Sequence, residues 1–143
     1  MQTIDIKRVN SLFSDIKRET EFLSEAINGN SLDEKSVKAI KYSLIVTIEA
    51  MLQVCQHILA KKFKVPVSGY MDAFKKAHRY GIISESLSIK IQPLADLRNE
   101  FLIHGYWKCD DELLIGLIRD NLSDFHKFVK EAEEFITRQQ KEF

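Results

Sequence analysis

The chain has 143 residues, of which 45% are hydrophobic and 29% charged, enough for one domain with a sizeable core and too apolar for a disordered chain. Gly and Pro number only 5 and 2, which argues against many-stranded sandwiches and barrels, because those need frequent turns. Basic and acidic residues balance at 21 each, so no overall field draws in nucleic acid or membrane, and such a partner must be met by a local patch.

Helical periodicity dominates from the start. Ile6, Val9, Phe13, Ile16, Leu23 and Ile27 alternate three- and four-residue steps, interrupted only at Thr20. This predicts an amphipathic helix, stopped by Asn28-Gly29-Asn30, which tolerate a left-handed helix stop. Ser31 with Glu34 three residues on matches a capping box and opens the second helix. Its seams are Val37, Ile40, Leu44, Ile48, Met51, Cys55 and Ile58, with Ile45, Leu52 and Leu59 beside them. So wide an apolar surface places this helix at the centre or at a subunit interface, and Pro66 sets its latest end.

A short helix follows from about Gly69 to Tyr80, with Ser68 as cap and Gly81 as stop. Ser84 caps a fourth helix, in which Pro93 predicts a kink or a boundary. The pattern resumes at Leu94, Leu97, Phe101 and Leu102 and stops near Gly105. The fifth helix starts near Asp110 and Asp111, whose charges suit a helix N-terminus. It carries Leu114, Leu117, Leu122, Phe125, Val129, Ala132 and Ile136, and fraying is expected from about Arg138. With no strand alternation, repeat or long linker, residues 1–143 read as one all-α domain, an up-and-down bundle of four to five helices.

Cys55 and Cys109 are too few for a disulfide scaffold, and no Cys/His spacing suits zinc, so the sequence calls for no metal and no cofactor. The N-terminus shows no apolar signal segment. The apolar run around Leu44 to Ala60 is broken by Glu49, Gln53, Gln56 and His57, so no membrane partner is expected and a cytoplasmic location is the default. His57, inside that run, reads as a hydrogen-bonded core or interface residue, whereas His78 and His126 read as surface residues.

Chemistry concentrates in one stretch, Asp96-Leu97-Arg98-Asn99-Glu100-Phe101-Leu102-Ile103-His104-Gly105-Tyr106-Trp107. A guanidinium can grip a phosphate with parallel hydrogen bonds, an imidazole can move a proton at neutral pH, and RNA brings its own 2′-hydroxyl nucleophile. Lys108 stands beside the motif as a phosphate contact. Arg98 and His104 are six residues apart, which on a regular helix leaves them about 120° out of line and roughly 9 Å apart along the axis. Reach by Arg98, unwinding near Gly105, or assembly from two symmetric chains would unite them. The alternative is structural, with Arg98 paired to a neighbouring carboxylate and His104 at a helix C-terminus. A second basic cluster comprises Lys61, Lys62, Lys64, Lys75, Lys76 and Arg79.

The stretch Arg98-Asn99 … His104-Gly105-Tyr106 resembles the signature of the HepT-like proteins of the HEPN superfamily: Arg, a polar residue, a few mostly apolar residues, His, any residue, Tyr. The resemblance extends to Lys41-Tyr42 … Ile48-Glu49-Ala50, to Val65-Pro66 with Tyr70 … Phe74, and to Tyr106-Trp107 with Asp110-Asp111-Glu112-Leu113. It implies a HEPN-like all-α symmetric homodimer with a composite cleft. It implies a metal-independent ribonuclease toxin that acts on RNA in a toxin–antitoxin pair of the type VII kind, with a minimal nucleotidyltransferase as antitoxin. By the same resemblance Arg98 binds and orients the scissile phosphate, His104 serves in proton transfer, Asn99 helps hold the phosphate or the motif geometry, and the antitoxin adds AMP to Tyr106. HepT-like proteins most often place four residues between Arg and His, and this chain has five, which turns one partner by about 100° on a helix. The rival reading is a non-catalytic substrate- or partner-binding subunit of a nucleotidyltransferase.

Overall fold

The computed structural model describes residues 3–29, 32–100 and 110–141. Among them the chain forms five α-helices: α1 Ile6–Ile27, α2 Glu34–Ile58, α3 Tyr70–Arg79, α4 Glu85–Glu100 and α5 Asp111–Lys141. Helix α2 touches each of the other four, and α1 and α5 also pack on one another, as do α3 and α4. The wide apolar surface of α2 is therefore used largely inside the chain, with Ile40, Leu44, Ile48, Met51, Leu52, Cys55 and Ile58 all fully buried. Helix α2 with the turn that follows it is long and apolar enough to span a bilayer, but 67% of its apolar 18-residue window is buried in the bundle, as suits a core helix.

The stripe of α1 buries Val9, Phe13, Ile16, Leu23 and Ile27. Thr20, the apparent interruption, lies in the same stripe at 1% exposure, so the periodicity is unbroken and a hydroxyl is accommodated in the core.

Three start signals differ from expectation or gain a partner. The cap of α2 is Asp33, whose Oδ1 accepts the Ser36 N–H at 2.8 Å; the proposed cap Ser31 lies outside the described residues. Asp33 directly precedes the first helical residue, and its carboxylate reaches the third N–H of the helix as well as a hydroxyl would. That bond holds the Asp33 carboxyl below the ordinary carboxylate range. At α3 the expected direction is reversed. Gly69 occupies the cap position, and Asp72 reaches back to accept from both the backbone N and the Oγ of Ser68, at 2.9 and 3.2 Å. Ser84 caps α4 as its sequence suggests, accepting the Leu87 N–H at 3.2 Å, while Glu131 of α5 receives the Ser84 N–H at 2.6 Å.

Helix α4 continues through Pro93. The proline removes the N–H that would bond the Ile89 carbonyl, and both residues are exposed, so water can take that carbonyl. Helix α2 runs into a π-helical turn, Leu59–Phe63, ended by Lys64 in the left-handed region at φ 56°. The Phe63 ring packs on Tyr80 and Phe135, with centroids 4.9 and 6.0 Å away, which ties this turn to α5. Gly81 stops α3 at φ 83°. Helix α5 is formed to Lys141, past Ile136, where its apolar pattern ends. His57 is buried and its Nε2 accepts the Asp5 N–H at 2.9 Å, fixing the chain leading into α1 to the end of α2. Cys55 is a buried thiol whose pKa burial pushes up.

Candidate functional site

Arg98 projects from the last turn of α4, where a cation complements the helix C-terminus. Leu94 and Ala95, one turn earlier, are fully buried and fix that part of the helix. The Arg98 side chain reaches across the bundle, and its Nε–H donates to Oε1 of Glu49 on α2. Its guanidinium carbon lies 3.9 Å from the ring centroid of Tyr70, the first residue of α3. Three helices thus meet at one cation. The pair is enclosed, with side-chain exposures of 15% for Arg98 and 28% for Glu49.

Asn99, the next residue, is half-buried. His104, Tyr106 and Lys108 lie outside the described residues, as do Trp107 and Cys109. Of the sequence-derived site, the structure therefore places Arg98 and Asn99. It adds Glu49, which appeared in the sequence as a break in the apolar run and within a block of family resemblance, and Tyr70, which appeared only within such a block. The signal for Glu49 was its position: a carboxylate among the apolar seams of α2 requires a cation, and a helical reading of one segment cannot say which.

A second ion pair bounds the same region. Lys41 of α2 is buried at 5% exposure, and its Nζ meets Oδ1 of Asp111, the first residue of α5, at 2.9 Å. Asp110 caps that helix, its Oδ1 accepting the N–H groups of Glu112 and Leu113 at 2.9 and 3.2 Å. Among the described residues, no group of three or more His, Cys, Asp or Glu is placed to hold a metal ion.

The bundle is all-α among the described residues, and Arg98 at the end of its fourth helix stands six residues before His104-Gly105-Tyr106 in the sequence. The chain belongs to the HepT-like family, described as ribonuclease HepT-like, whose model matches residues 4–132. Among solved structures, the cytosolic protein of unknown function YutE from Bacillus subtilis is 14% identical with a TM-score of 0.86, over 97% of this chain and 95% of that one. The tri-AMPylated Shewanella oneidensis HEPN toxin, solved in complex with MNT antitoxin, is 18% identical with a TM-score of 0.79, over 89% of this chain and 97% of that one. A toxin–antitoxin structure with AMP-PNP is 18% identical with a TM-score of 0.80, over 90% and 98%. At these identities the likeness is one of fold. A comparison with proteins of curated function gives no match.

Proposed function

We propose that this chain is the toxin of a toxin–antitoxin pair, a cytoplasmic, metal-independent ribonuclease that works as a homodimer. The observation that carries this reading is a family match over residues 4–132 in a chain whose motif arginine is oriented by Glu49 and Tyr70. With Nε given to Glu49, the end of the guanidinium fork is the part that meets phosphate, while Asn99 supports the same group. The RNA 2′-oxygen attacks its own phosphorus, a 2′-O–P bond forms and the P–5′-O bond breaks. His104 takes the hydroxyl proton, and the departing 5′-oxygen takes one from water. Lys108 adds a further phosphate contact. Exposed Tyr42 and Leu113, beside the Lys41–Asp111 pair, are the apolar side chains that a second copy would cover.

The partner is a minimal nucleotidyltransferase, in line with the MNT antitoxin bound to the Shewanella HEPN toxin. Transfer of AMP from ATP to the Tyr106 hydroxyl, with release of pyrophosphate, places bulk and negative charge beside the phosphate site, which repels RNA. One observation favours the alternative of a non-catalytic nucleotidyltransferase-binding subunit: Arg98 already holds a carboxylate.

The test is a time course of RNA cleavage in EDTA at neutral pH by wild type, Arg98→Ala and His104→Ala, with intact mass establishing that Tyr106 is unmodified. Cleavage by wild type alone is expected. Cleavage retained in both variants overturns the site, and a tight complex with the nucleotidyltransferase without cleavage by unmodified wild type gives the alternative. Mass gain on incubation with the partner, ATP and magnesium, lost in Tyr106→Phe, tests the modification.

A further inference from the structure

The basic cluster read from the sequence divides in three dimensions. Lys61 and Lys62 belong to the π-helical turn, and Lys64 ends it. Lys76 is occupied, its Nζ bonding the Pro66 carbonyl at 2.7 Å and the Asp72 carboxylate at 2.9 Å. Lys75 and Arg79 remain exposed, and they line a cavity of about 310 Å³ between α3 and α4. His78 joins them on the α3 wall, while Glu85, Ile89 and Gln92 stand on the α4 wall.

Two features give this groove a direction and a type of ligand. Lys75 and Arg79 are four residues apart on α3, so they share one cationic face, with His78 beside them, opposed in the lining by the single carboxylate of Glu85. On the other wall, Glu85, Ile89, Gln92, Asp96 and Asn99 recur every three or four residues, a stripe that runs along α4 as far as Asn99, the residue after Arg98. From Gln92 to Asn99 is about 10 Å along the helix. Ile89 is 59% exposed, an apolar surface in a basic groove, and Gln92 offers an amide beside it. Cations along one wall with apolar and amide groups along the other suit a single strand, whose phosphates take the first and whose bases take the second.

We propose that the α3–α4 groove is a single-stranded RNA track, in which Lys75 and Arg79 hold backbone phosphates of the strand whose scissile phosphate lies at Arg98. The proposal deepens the ribonuclease reading and rests on it. Asp96, exposed on the path beyond the cavity, is a second carboxylate, after Glu85, that opposes the strand.

The test measures binding of a fluorescent oligouridine about 12 nucleotides long, within the span such grooves cover. Full-length His104→Ala protein is used throughout to prevent turnover, alone and with Lys75→Glu/Arg79→Glu or Asp96→Asn added. The charge-reversed protein should bind at least about tenfold more weakly, with the slope of log affinity against log salt reduced by about 1.4 for two lost contacts. Asp96→Asn should bind more tightly. Lys75→Gln/Arg79→Gln replaces the reversed pair if circular dichroism shows that pair misfolded. Unchanged affinity and slope, beside wild-type cleavage in EDTA, overturn the track alone. Asp96→Asn binding no tighter puts the strand elsewhere and overturns the path. Loss of nucleotidyltransferase binding with RNA affinity intact assigns the groove to the protein partner and overturns the track. No RNA binding by unmodified protein overturns both the track and the ribonuclease reading.

Discussion

Lys41 and Glu49 stand about two turns apart on α2, and each holds an opposite charge from a different flank of the His104–Tyr106 motif: Asp111 at 2.9 Å by Lys41, and Arg98 by Glu49. The end of α4 and the start of α5 are therefore fixed to one buried helix, roughly 12 Å apart along its axis. The two pairs differ in burial, and so differ in what each removal leaves behind.

Lys41 is buried at 5% exposure while the Asp111 side chain is 54% exposed. Asp111→Asn should therefore cost more than Lys41→Met. The first removes the counter-charge of a buried ammonium and leaves it only an amide oxygen, at about 1–3 kcal/mol, and the second leaves a carboxylate that water can solvate and a methionine that packs. Urea unfolding of the two single variants and the double variant checks the order. The double variant should recover most of the Asp111→Asn loss.

Glu49 and Tyr70 act as positioning residues for Arg98. Tyr70→Leu should lose the cation–π contact, at about 0.5–2 kcal/mol, while Tyr70→Phe keeps the ring and loses little. Glu49→Gln keeps an acceptor for Nε and should fold nearly normally, whereas Glu49→Ala leaves Arg98 free to swing. In RNA cleavage, Glu49→Ala should lower kcat more than it raises KM, and Glu49→Gln should restore much of kcat. A structural role alone would move stability in proportion to activity and show no such separation.

The long stripes of α1 and α5, the core seams of α2, and the signals at Ser84 and Gly81 were legible because each is a local pattern. What the sequence missed was choice between competing local solutions, or contact between distant residues. Asp33 took the cap assigned to Ser31, Asp72 reversed the role given to Ser68, and an exposed Pro93 did not end its helix. For the site, Arg98 was legible as chemistry, but Glu49 lies 49 residues away and Tyr70 on a third helix. Only the packing of α2, α3 and α4 brings those three together.

Gly69 opens α3 at φ 129° and ψ 178°, a region that side chains with a Cβ rarely enter. No atom lies within 4 Å of a Cβ placed there, so crowding is not the obstacle. Gly69→Ala should nonetheless destabilise the protein by about 1–3 kcal/mol through backbone strain alone. Because α3 supplies Tyr70, thermal unfolding and RNA affinity should be measured on the same variant, with the loss expected in both.

His57 makes stability depend on pH. Burial holds its imidazole below the ordinary histidine pKa, Arg8 and Lys61 push the same way, and Asp5 opposes them. The folded state therefore prefers the neutral ring, whose Nε2 lone pair accepts the Asp5 N–H at 2.9 Å. As pH falls, the unfolded chain takes up the proton first. The contribution of His57 is complete above about pH 6.5 and declines as pH drops towards the lowered folded-state value, with a slope of at most about 1.4 kcal/mol per pH unit. Protonation turns the acceptor into a donor that faces another donor, so the segment before α1 should detach first. Urea midpoints between pH 7.5 and 5 should fall for wild type and fall less steeply for His57→Gln, whose amide oxygen can still accept from Asp5. Equal slopes for the two proteins would show that His57 does not set the acid sensitivity in this range, while Asp72, held below the ordinary carboxylate range by the Ser68 N–H and by Lys76, would lose its contribution only below about pH 4.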